Sequence, residues 1–292
     1  MITFRELTLK LHTSCWACAV AGLLALVGVW AVLIEPRWLA YREIGHEVSS
    51  WQGPPGLKVA VASDWHFTTR ALWRVTTVER ATQIVADINA AKPDIVLLPG
   101  DFIASDFAGA SIGPAEEAVA AVLGELKAPL GIYAVLGNHD WWHDGGKMRS
   151  ALERRGIKVL ENDAVALPGT SLWIAGVGDD FTGHSRPASA VSKVPASAQV
   201  LVLMHDPASL MSLPPVQGLV VAGHTHGGQV ALPFYGALVV PGAAPRAWAY
   251  GWVDHAGNRM YVTSGVGVSI LPVRFNRRPE WAMITIKSKE NK

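Results

Sequence analysis

The sequence predicts an α/β domain behind an N-terminal membrane helix. Cys15 to Ile34 is a run of 20 residues without a charged side chain. From Leu57 onward, short apolar runs alternate with segments whose apolar residues recur at helical spacing, which indicates βαβ units and a parallel sheet. The second half consists of strand-like runs with few long helices between them. Two sheets packed face to face, with helices outside, would account for both halves.

The N-terminal run is long enough to cross a bilayer. At about 1.5 Å per residue, a helix of this length reaches roughly 30 Å, the thickness of the hydrocarbon core. The run exceeds the apolar core of a cleaved signal peptide, and no small-x-small site follows it. We therefore expect residues 1–35 to be an uncleaved anchor rather than a signal sequence or a buried core helix. Basic residues on its two sides are nearly balanced, and we expect the rest of the chain on the outer face.

A connector and three strand-helix units follow the anchor. The connector, residues 36–56, is polar and contains Pro, Gly and aromatic residues that tolerate a membrane interface. The domain spans residues 57–292 and begins with an apolar strand. Its helices are predicted from apolar residues three and four positions apart and, in one case, from a proline at the start. The first half comprises strands at 57–63, 94–98 and 132–136 and helices at 75–91, 114–127 and 145–155.

The second half is predicted to be rich in strands. Six short apolar runs carry this prediction, at 172–177, 200–204, 219–222, 230–232, 259–263 and 282–286. Residues 179–198 are rich in Gly, Ser, Pro and Ala, which is typical of a loop, and we expect this loop to border a functional site.

Composition excludes several classes of protein. The 25 Lys and Arg residues nearly balance the 24 Asp and Glu residues, so no basic surplus indicates nucleic acid as a partner. The only two cysteines, Cys15 and Cys18, both lie in the apolar N-terminal run. The domain therefore has neither a disulfide framework nor a cysteine-based zinc site.

Five polar clusters stand where strand-like runs end. They are Asp64-Trp65-His66, Gly100-Asp101, Gly137-Asn138-His139-Asp140, His205-Asp206 and Gly223-His224-Thr225-His226. Ligand sites in open α/β sheets collect at the carboxyl ends of strands, so these side chains can converge. Oxygen and imidazole donors without a thiolate suit Mn, Zn or Fe. Each cluster alone is a common turn, but their joint occurrence predicts a site for two divalent ions.

Hydrolysis at phosphorus is the chemistry that such a site favours. Asp64 and His66, two positions apart, would project in the same direction if their strand extends that far. Asp101 follows a glycine that removes a side chain from a crowded turn, so its carboxylate is free to bridge both ions. Two ions about 3.5–4 Å apart, sharing Asp101 and a hydroxide, would clamp both the attacking and the leaving oxygen of an in-line displacement.

Together the clusters resemble the full signature of calcineurin-like metallophosphoesterases, and the resemblance covers residues 57–286. It implies a four-layer α/β/β/α sandwich. One implied metal site comprises Asp64, His66, Asp101 and His226, and the other comprises Asp101, Asn138, His205 and His224. The resemblance also implies that Asn138 and His139 lie at the substrate, that His139 stabilises or protonates the phosphoryl group without binding metal, and that Asp140 orients the His139 ring.

A narrower resemblance points to bacterial membrane-associated phosphodiesterases. It rests on the anchor, on Gly-Gly-Gln at 227–229 and on the tail from 264 to 280. Some of those enzymes cleave the pyrophosphate of UDP-diacylglucosamine in lipid A synthesis. With the anchor, we expect a single-pass protein of the bacterial inner membrane whose domain lies on the periplasmic side. Arg274 in this tail could bind a substrate phosphate bidentately, although a solvated arginine is the more common case.

Two functional hypotheses remain. The first is a metal-dependent phosphodiesterase or pyrophosphohydrolase acting on a lipid-linked or nucleotide-containing phosphoester at the membrane. The second is a membrane-tethered binding or scaffolding module that keeps the fold without turnover. Trp65, Trp141 and Trp142 either line an apolar wall of the site or pack in the core, which is the more common role. His143 and His184 are possible neighbours of the site but are not predicted as ligands.

Overall fold

The computed structural model describes residues 4–49, 51–70, 75–106 and 108–288, with the backbone alone for residues 4–15. The strands are β1 (Ala40–Val48), β2 (Leu57–Val61), β3 (Ile95–Leu98), β4 (Ile132–Ala134), β5 (Lys158–Val159), β6 (Asp163–Ala166), β7 (Leu172–Gly176), β8 (Gln199–Leu203), β9 (Gln217–Ala222), β10 (Ala231–Leu232), β11 (Gly236–Ala237), β12 (Gly251–His255), β13 (Asn258–Val262) and β14 (Glu280–Ser288). The α-helices are α1 (Phe4–Val29), α2 (Val78–Ala90), α3 (Glu116–Leu123), α4 (Asn138–His143), α5 (Gly145–Arg154) and α6 (Pro187–Val191).

Two six-stranded sheets form the domain. The first has the order β1-β14-β2-β3-β4-β5, in which β2 to β5 are parallel and β14 runs antiparallel to β2. The second has the order β12-β13-β9-β8-β7-β6, with a parallel centre from β13 to β7 and an antiparallel strand at each edge. Strands β10 and β11 form a separate hairpin.

The sheets pack face to face around an apolar core. Leu97 of β3 and Val59 of β2 lie in one buried cluster with Leu201 of β8 and Val221 of β9. The outer face of the first sheet is covered by α2, α3 and α5, and that of the second sheet is covered by α6 and a 3₁₀ helix at Pro207–Ser212. The four-layer α/β/β/α prediction is therefore confirmed.

The segment treated above as a connector contributes an edge strand. Strand β1 pairs in parallel with β14 over nine residues, although its sequence is largely polar. An edge strand can expose one face and one side to solvent, so its apolar pattern is too weak to predict. The loop predicted at 179–198 likewise contains a short helix, α6.

The N-terminal helix stands away from this core. After α1 the chain continues as a π-helical segment, Trp30–Ile34, and a 3₁₀ turn, Glu35–Arg37. The helical span Trp16–Arg37, 22 residues, is long and apolar enough to cross a membrane, and only 6% of its most apolar window is buried. A core helix would instead be covered by other elements. The exposed apolar surface fits a membrane helix better than the buried-core alternative.

Candidate metal centre

The five polar clusters converge at the carboxyl ends of strands from both sheets. Strands β2, β3 and β4 lead to the first three clusters, and β8 and β9 lead to the last two. Each of the seven predicted ligands is at most 4% exposed. These ligands are Asp64, His66, Asp101, Asn138, His205, His224 and His226. Buried polar side chains need compensating partners, so the convergence itself indicates a binding site.

Left-handed backbone turns aim most of these side chains inward. Five of the seven have positive φ angles of 44° to 67°, namely Asp64, His66, Asp101, His224 and His226. This conformation costs free energy for residues other than glycine and tends to mark functional sites. Strand β2 ends at Val61, so Asp64 and His66 do not converge as neighbours on an extended strand. The turn at 64–66 brings them together instead.

Two glycines permit the close approach of these turns. Gly100 has a φ of +90°, and a Cβ atom there would lie 2.6 Å from the backbone nitrogen of Gly137. A Cβ atom on Gly137 would lie 2.2 Å from Oδ1 of Asp101. Gly100 therefore relieves crowding before Asp101, as the sequence predicts. Gly137 has the same role on the facing turn, which the sequence alone does not indicate.

The first ligand cluster comprises Asp64, His66 and His226. Ligand atoms of these three residues lie within 4.8 Å of one another. The Nε2 atoms of His66 and His226 are 3.0 Å apart, and Nε2 of His226 lies 3.5 Å from Oδ1 of Asp64. One oxygen and two nitrogens thus face a common point.

The second cluster comprises Asp101, His205 and His224, again within 4.8 Å. Nε2 of His205 lies 3.1 Å from Nδ1 of His224 and 3.1 Å from Oδ1 of Asn138. Nδ1 of His205 lies 2.7 Å from the Pro99 carbonyl oxygen, which fixes the ring and directs Nε2 into the cluster.

Asp101 lies between the two clusters. Its Oδ2 atom is 3.5 Å from Nε2 of His66 and 3.3 Å from Nε2 of His205. Its Oδ1 atom accepts a hydrogen bond from the backbone nitrogen of His139 at 2.9 Å. A single carboxylate is therefore shared by both sets of donors.

The electrostatics of these side chains suit cations. Burial lowers the pKa of His66 and of His226 well below the usual value, so both rings are neutral. Burial alone would raise the pKa of Asp101, but His205 and His139 hold it well below its usual range. Burial raises the pKa of Asp64 to about 7. A divalent ion would favour the ionised form of Asp64 and displace protons from the site.

The facing ring nitrogens also fit a metal centre. Nε2 of His66 faces Nε2 of His226 at 3.0 Å, and Nδ1 of His224 faces Nε2 of His205 at 3.1 Å. Burial lowers the pKa of His66, His224 and His226, whereas Asp101 holds the pKa of His205 well above its usual value against the effect of burial. A cation between the facing nitrogens would accept their lone pairs, and the oxygen and nitrogen set suits Mn, Zn or Fe.

A family comparison agrees with this geometry. The model of the calcineurin-like phosphoesterase family matches residues 57–228, which include all five clusters. The chain belongs to the calcineurin-like phosphoesterase family. The resemblance inferred from the motifs is therefore confirmed.

Curated relatives of this phosphoesterase come from bacteria and animals. The uncharacterized metallophosphoesterase YkuE of Bacillus subtilis is 29% identical over 267 residues, or 89% of each chain. Phosphodiesterase YaeI of Escherichia coli is 29% identical over 260 residues, covering 86% of this chain and 90% of that protein. A zebrafish transmembrane protein with a metallophosphoesterase domain is 28% identical over 250 residues, which cover 80% of this chain and 53% of the zebrafish protein.

His139 of this phosphoesterase lies beside both clusters. Its Nε2 atom is 3.9 Å from Oδ2 of Asp101, and its ring packs against Trp142 at 4.6 Å between centroids. Its Nδ1 atom lies 2.8 Å from Oγ of Ser105, which is itself 3.0 Å from Nε2 of His143. Ser105 carries no motif that the sequence alone reveals, because it is a lone serine in a loop.

We expect Ser105→Ala to lower turnover by about 10-fold, because the His139 ring loses the partner of its Nδ1 atom and keeps the 3.3 Å contact of Nε2 with Oγ of Ser269. Bound metal should stay constant, kcat should fall more than KM, and Ser105→Thr should restore much of the rate. Steady-state kinetics with Ser212→Ala as an exposed control measures this effect. Unchanged turnover would show that Ser105 does not position His139.

Asp140 has a different role from the one that the resemblance implies. Its Oδ2 atom accepts hydrogen bonds from the backbone nitrogens of Asp101 at 3.0 Å and Gly137 at 2.9 Å. Its Oδ1 atom accepts from the backbone nitrogen of Phe102 at 2.9 Å. Asp140 therefore holds the loop that carries Asp101, and Ser105 rather than Asp140 contacts the His139 ring.

Arg274 also differs from expectation. The side chain is completely buried, and its Nη2 atom donates to the carbonyl oxygens of Ser264 at 2.7 Å and Gly267 at 2.6 Å. The same nitrogen lies 3.2 Å from Nδ1 of His226. The guanidinium thus stands behind the predicted ligand His226 and binds the protein backbone, and not the substrate phosphate or the solvent that its place in the sequence predicts.

We expect Arg274→Met to lower the free energy of unfolding by about 3 kcal/mol, because several buried carbonyl groups lose their donor. The variant should also retain less Mn, since His226 loses its neighbour. Urea unfolding and metal analysis of the detergent-solubilised chain measure both effects. Arg259→Met is the exposed control. Equal stability of Arg274→Met and the parent chain would contradict this structural role.

The three tryptophans of the motifs differ in whether they pack in the core or line a wall of the site. Trp65 is fully buried and stacks on Phe67 in the core. The ring of Trp141 stacks on His184 at 3.9 Å between centroids. Trp142, which is 41% exposed, lies beside the site with Phe181 next to it. Only Trp142 is therefore placed to form a wall for substrate.

A groove opens at the metal centre. It has a volume of about 230 Å³. The polar part of its lining comes from the site and includes Asp101, His139, His224 and His226. The other part is apolar and includes Val239, Pro241, Ile270 and Leu271. A ligand that combines a phosphate with an apolar or bulky organic group fits this division.

Proposed function

We propose that this phosphoesterase is a two-metal phosphodiesterase or pyrophosphohydrolase that acts at a membrane on a lipid-linked or nucleotide-containing substrate. The observation that carries the proposal is the position of Asp101, whose Oδ2 atom lies within 3.5 Å of His66 and 3.3 Å of His205. One carboxylate between two sets of buried donors is the arrangement that a pair of divalent ions requires.

Seven side chains would hold the two ions. We assign Asp64, His66, Asp101 and His226 to one site and Asp101, Asn138, His205 and His224 to the other. The distances support this division, because each set contains a compact cluster of three donors, and a third such cluster joins His66 and Asp101 to His139. Mn, Zn and Fe all suit the donors.

The ions would supply an activated water and neutralise charge on the phosphoryl oxygens. His139 lines the groove beside Asp101, so its Nε2 atom can donate a hydrogen bond to a phosphoryl or leaving oxygen. Ser105 fixes the orientation of this ring through Nδ1. Asp140 keeps the Asp101 loop in place through three backbone hydrogen bonds.

The apolar part of the groove supports a substrate larger than inorganic phosphate. Val239 and Leu271 are exposed and border the groove, and Trp142 adds an aromatic wall beside His139. These surfaces suit an acyl chain or a nucleobase. The name of the Escherichia coli relative, a phosphodiesterase, supports the same substrate class for this chain.

The N-terminal helix supports a location in the bacterial inner membrane. We propose one membrane crossing with the domain on the periplasmic face. A zebrafish relative is also named as a transmembrane protein, which supports the membrane assignment.

A hydrolysis panel tests the proposed function. The full chain, loaded with Mn, is assayed with a phosphomonoester, a phosphodiester, a phospholipid and UDP-diacylglucosamine. We expect cleavage of at least one diester or pyrophosphate at a higher kcat/KM than the monoester. Hydrolysis of the monoester alone would contradict the substrate class. No hydrolysis of any compound would favour a binding or scaffolding module.

A further inference from the structure

Exposed apolar side chains concentrate around one hairpin. Twelve large apolar residues beyond the N-terminal helix are exposed in the described chain, and six of them lie on the β10-β11 hairpin or beside the groove. These six, the hairpin patch, are Leu232, Phe234, Tyr235, Leu238, Val239 and Leu271. Phe234 at the tip is completely exposed and has a φ of 63°. A bulky residue in left-handed backbone with no protein contact to hold it indicates an external partner.

The hairpin patch lies next to the end of the N-terminal helix. Pro233 and Trp30 line one cavity of about 410 Å³, together with charged residues such as Arg277. Val230, directly before β10, forms a bridge with Phe275. The backbone nitrogen of Arg274 donates to the carbonyl oxygen of Ala31 at 2.8 Å. The helix end and the hairpin are therefore neighbours on one side of the domain, with a charged junction between them.

Buried hydrogen bonds fix the helix end against the domain. Glu35 is 3% exposed and accepts hydrogen bonds from the backbone nitrogens of Asn276 and Arg277. Its Oε2 atom also accepts from Nε1 of Trp30 at 2.6 Å. Glu35 thus attaches the helix end to residues 276–277, and the neighbouring Phe275 pairs with Val230 at the start of the hairpin. The helix end and the hairpin are therefore held by the same short segment of the domain.

Arginines surround the junction of helix and hairpin. Arg37 and Arg246 are exposed, whereas Arg277 and Arg278 are half-buried. Arg278 stacks over the Trp38 ring at 3.9 Å. The acidic groups next to them, Glu35 and Glu280, are buried and already hydrogen-bonded within the protein. The accessible charge at the junction is therefore positive, which complements anionic lipid headgroups.

The groove of the metal centre opens on the same surface. Val239 and Leu271 belong to the hairpin patch and also line the groove beside His139 and His226. A membrane that covers the hairpin would therefore meet the mouth of the groove.

We propose that the hairpin patch is a second membrane contact, which inserts next to the anchor and places the mouth of the groove on the bilayer surface. A substrate with an acyl chain can then enter the groove directly from the membrane, without crossing water. The proposal depends on the membrane location proposed above but not on hydrolysis. The proximity of the membrane helix and the positive charge at the junction favour a lipid surface over a second copy of the chain.

Depth-dependent fluorescence quenching tests this contact. The full chain with Cys15→Ser and Cys18→Ser receives a single cysteine, Phe234→Cys, which is labelled with an environment-sensitive fluorophore. The protein is reconstituted into vesicles of phosphatidylcholine and phosphatidylglycerol that contain nitroxide lipids. Ser197→Cys is the matched control, because Ser197 is exposed before β8, at the strand ends opposite the metal centre. Leu271→Cys gives a second, independent probe.

We expect the labels at 234 and 271 to shift to the blue and to lie about 5–10 Å below the headgroup boundary. The label at 197 should stay in water. Quenching at 234 and 271 no stronger than at 197 would overturn the proposal. A blue shift that grows with the ratio of protein to lipid, without quenching by nitroxide lipids, would assign the patch to a second copy.

Hydrolysis of an activated phosphodiester by the unlabelled parent chain in the same vesicles separates the two proposals, because Leu271 lines the groove and a label there would itself obstruct substrate. An active parent chain, with labels at 234 and 271 that remain in water, retains the phosphodiesterase and loses the second membrane contact. An inactive parent chain, with the labels at 234 and 271 in the membrane, retains the contact and argues against the enzyme.

Discussion

Asp101→Asn is expected to lower turnover by about 10³-fold or more and to reduce the Mn content of the purified chain. Asp101 lies between the two clusters, so the loss of its charge weakens both sites at once. The amide also lacks the second charged oxygen that a shared ligand needs. Metal analysis and steady-state hydrolysis of an activated phosphodiester measure the two effects.

Asp254→Asn is the matched control, because the Asp254 side chain is 74% exposed on the second sheet. It should retain full activity and full metal content. A fully active Asp101→Asn variant with unchanged Mn content would show that Asp101 is not shared by two ions.

His139→Ala is expected to lower turnover by about 10²- to 10⁴-fold while both ions are retained. The ring lies beside the metal clusters, and Ser105 holds its Nδ1 atom, so its loss removes a donor to the phosphoryl group rather than a ligand. The same metal analysis and kinetics apply, together with the pH profile of kcat. The profile should lose the limb that reports a protonated imidazole.

His184→Ala serves as the control, because His184 stacks on Trp141 outside the ligand clusters. Loss of metal in His139→Ala would contradict the assigned role. That outcome has a structural basis, since ring nitrogens of His66 and His139 and an oxygen of Asp101 also lie within 4.8 Å of one another.

The fold was predictable because its central strands are apolar on both faces. Strand β3, for example, is buried along its whole length, and its sequence Ile-Val-Leu-Leu can hardly form anything else between helical patterns. The clusters follow such strands directly, so their convergence also followed from the sequence. The edge strand β1 was missed because a half-exposed polar strand leaves no comparable pattern.

The local geometry of the site was not predictable in the same way. The spacing of Asp64 and His66 would make them converge on a strand that reached them, but β2 ends at Val61 and they converge through left-handed turns. Asp140 and Arg274 carry charges that motif reasoning assigns to substrate or catalysis. The structure commits both side chains to backbone groups, a role that depends on where distant loops cross. No pattern in a single sequence specifies those crossings.

Metal stoichiometry tests the two-metal centre most directly. The purified full chain, stripped of metal and reconstituted with Mn, is analysed for ions per chain while hydrolysis of an activated phosphodiester is followed in the same titration. We expect two ions per chain, with turnover that appears only as the second ion binds. Saturation at fewer than two ions per chain, without hydrolysis of the phosphodiester, would contradict it.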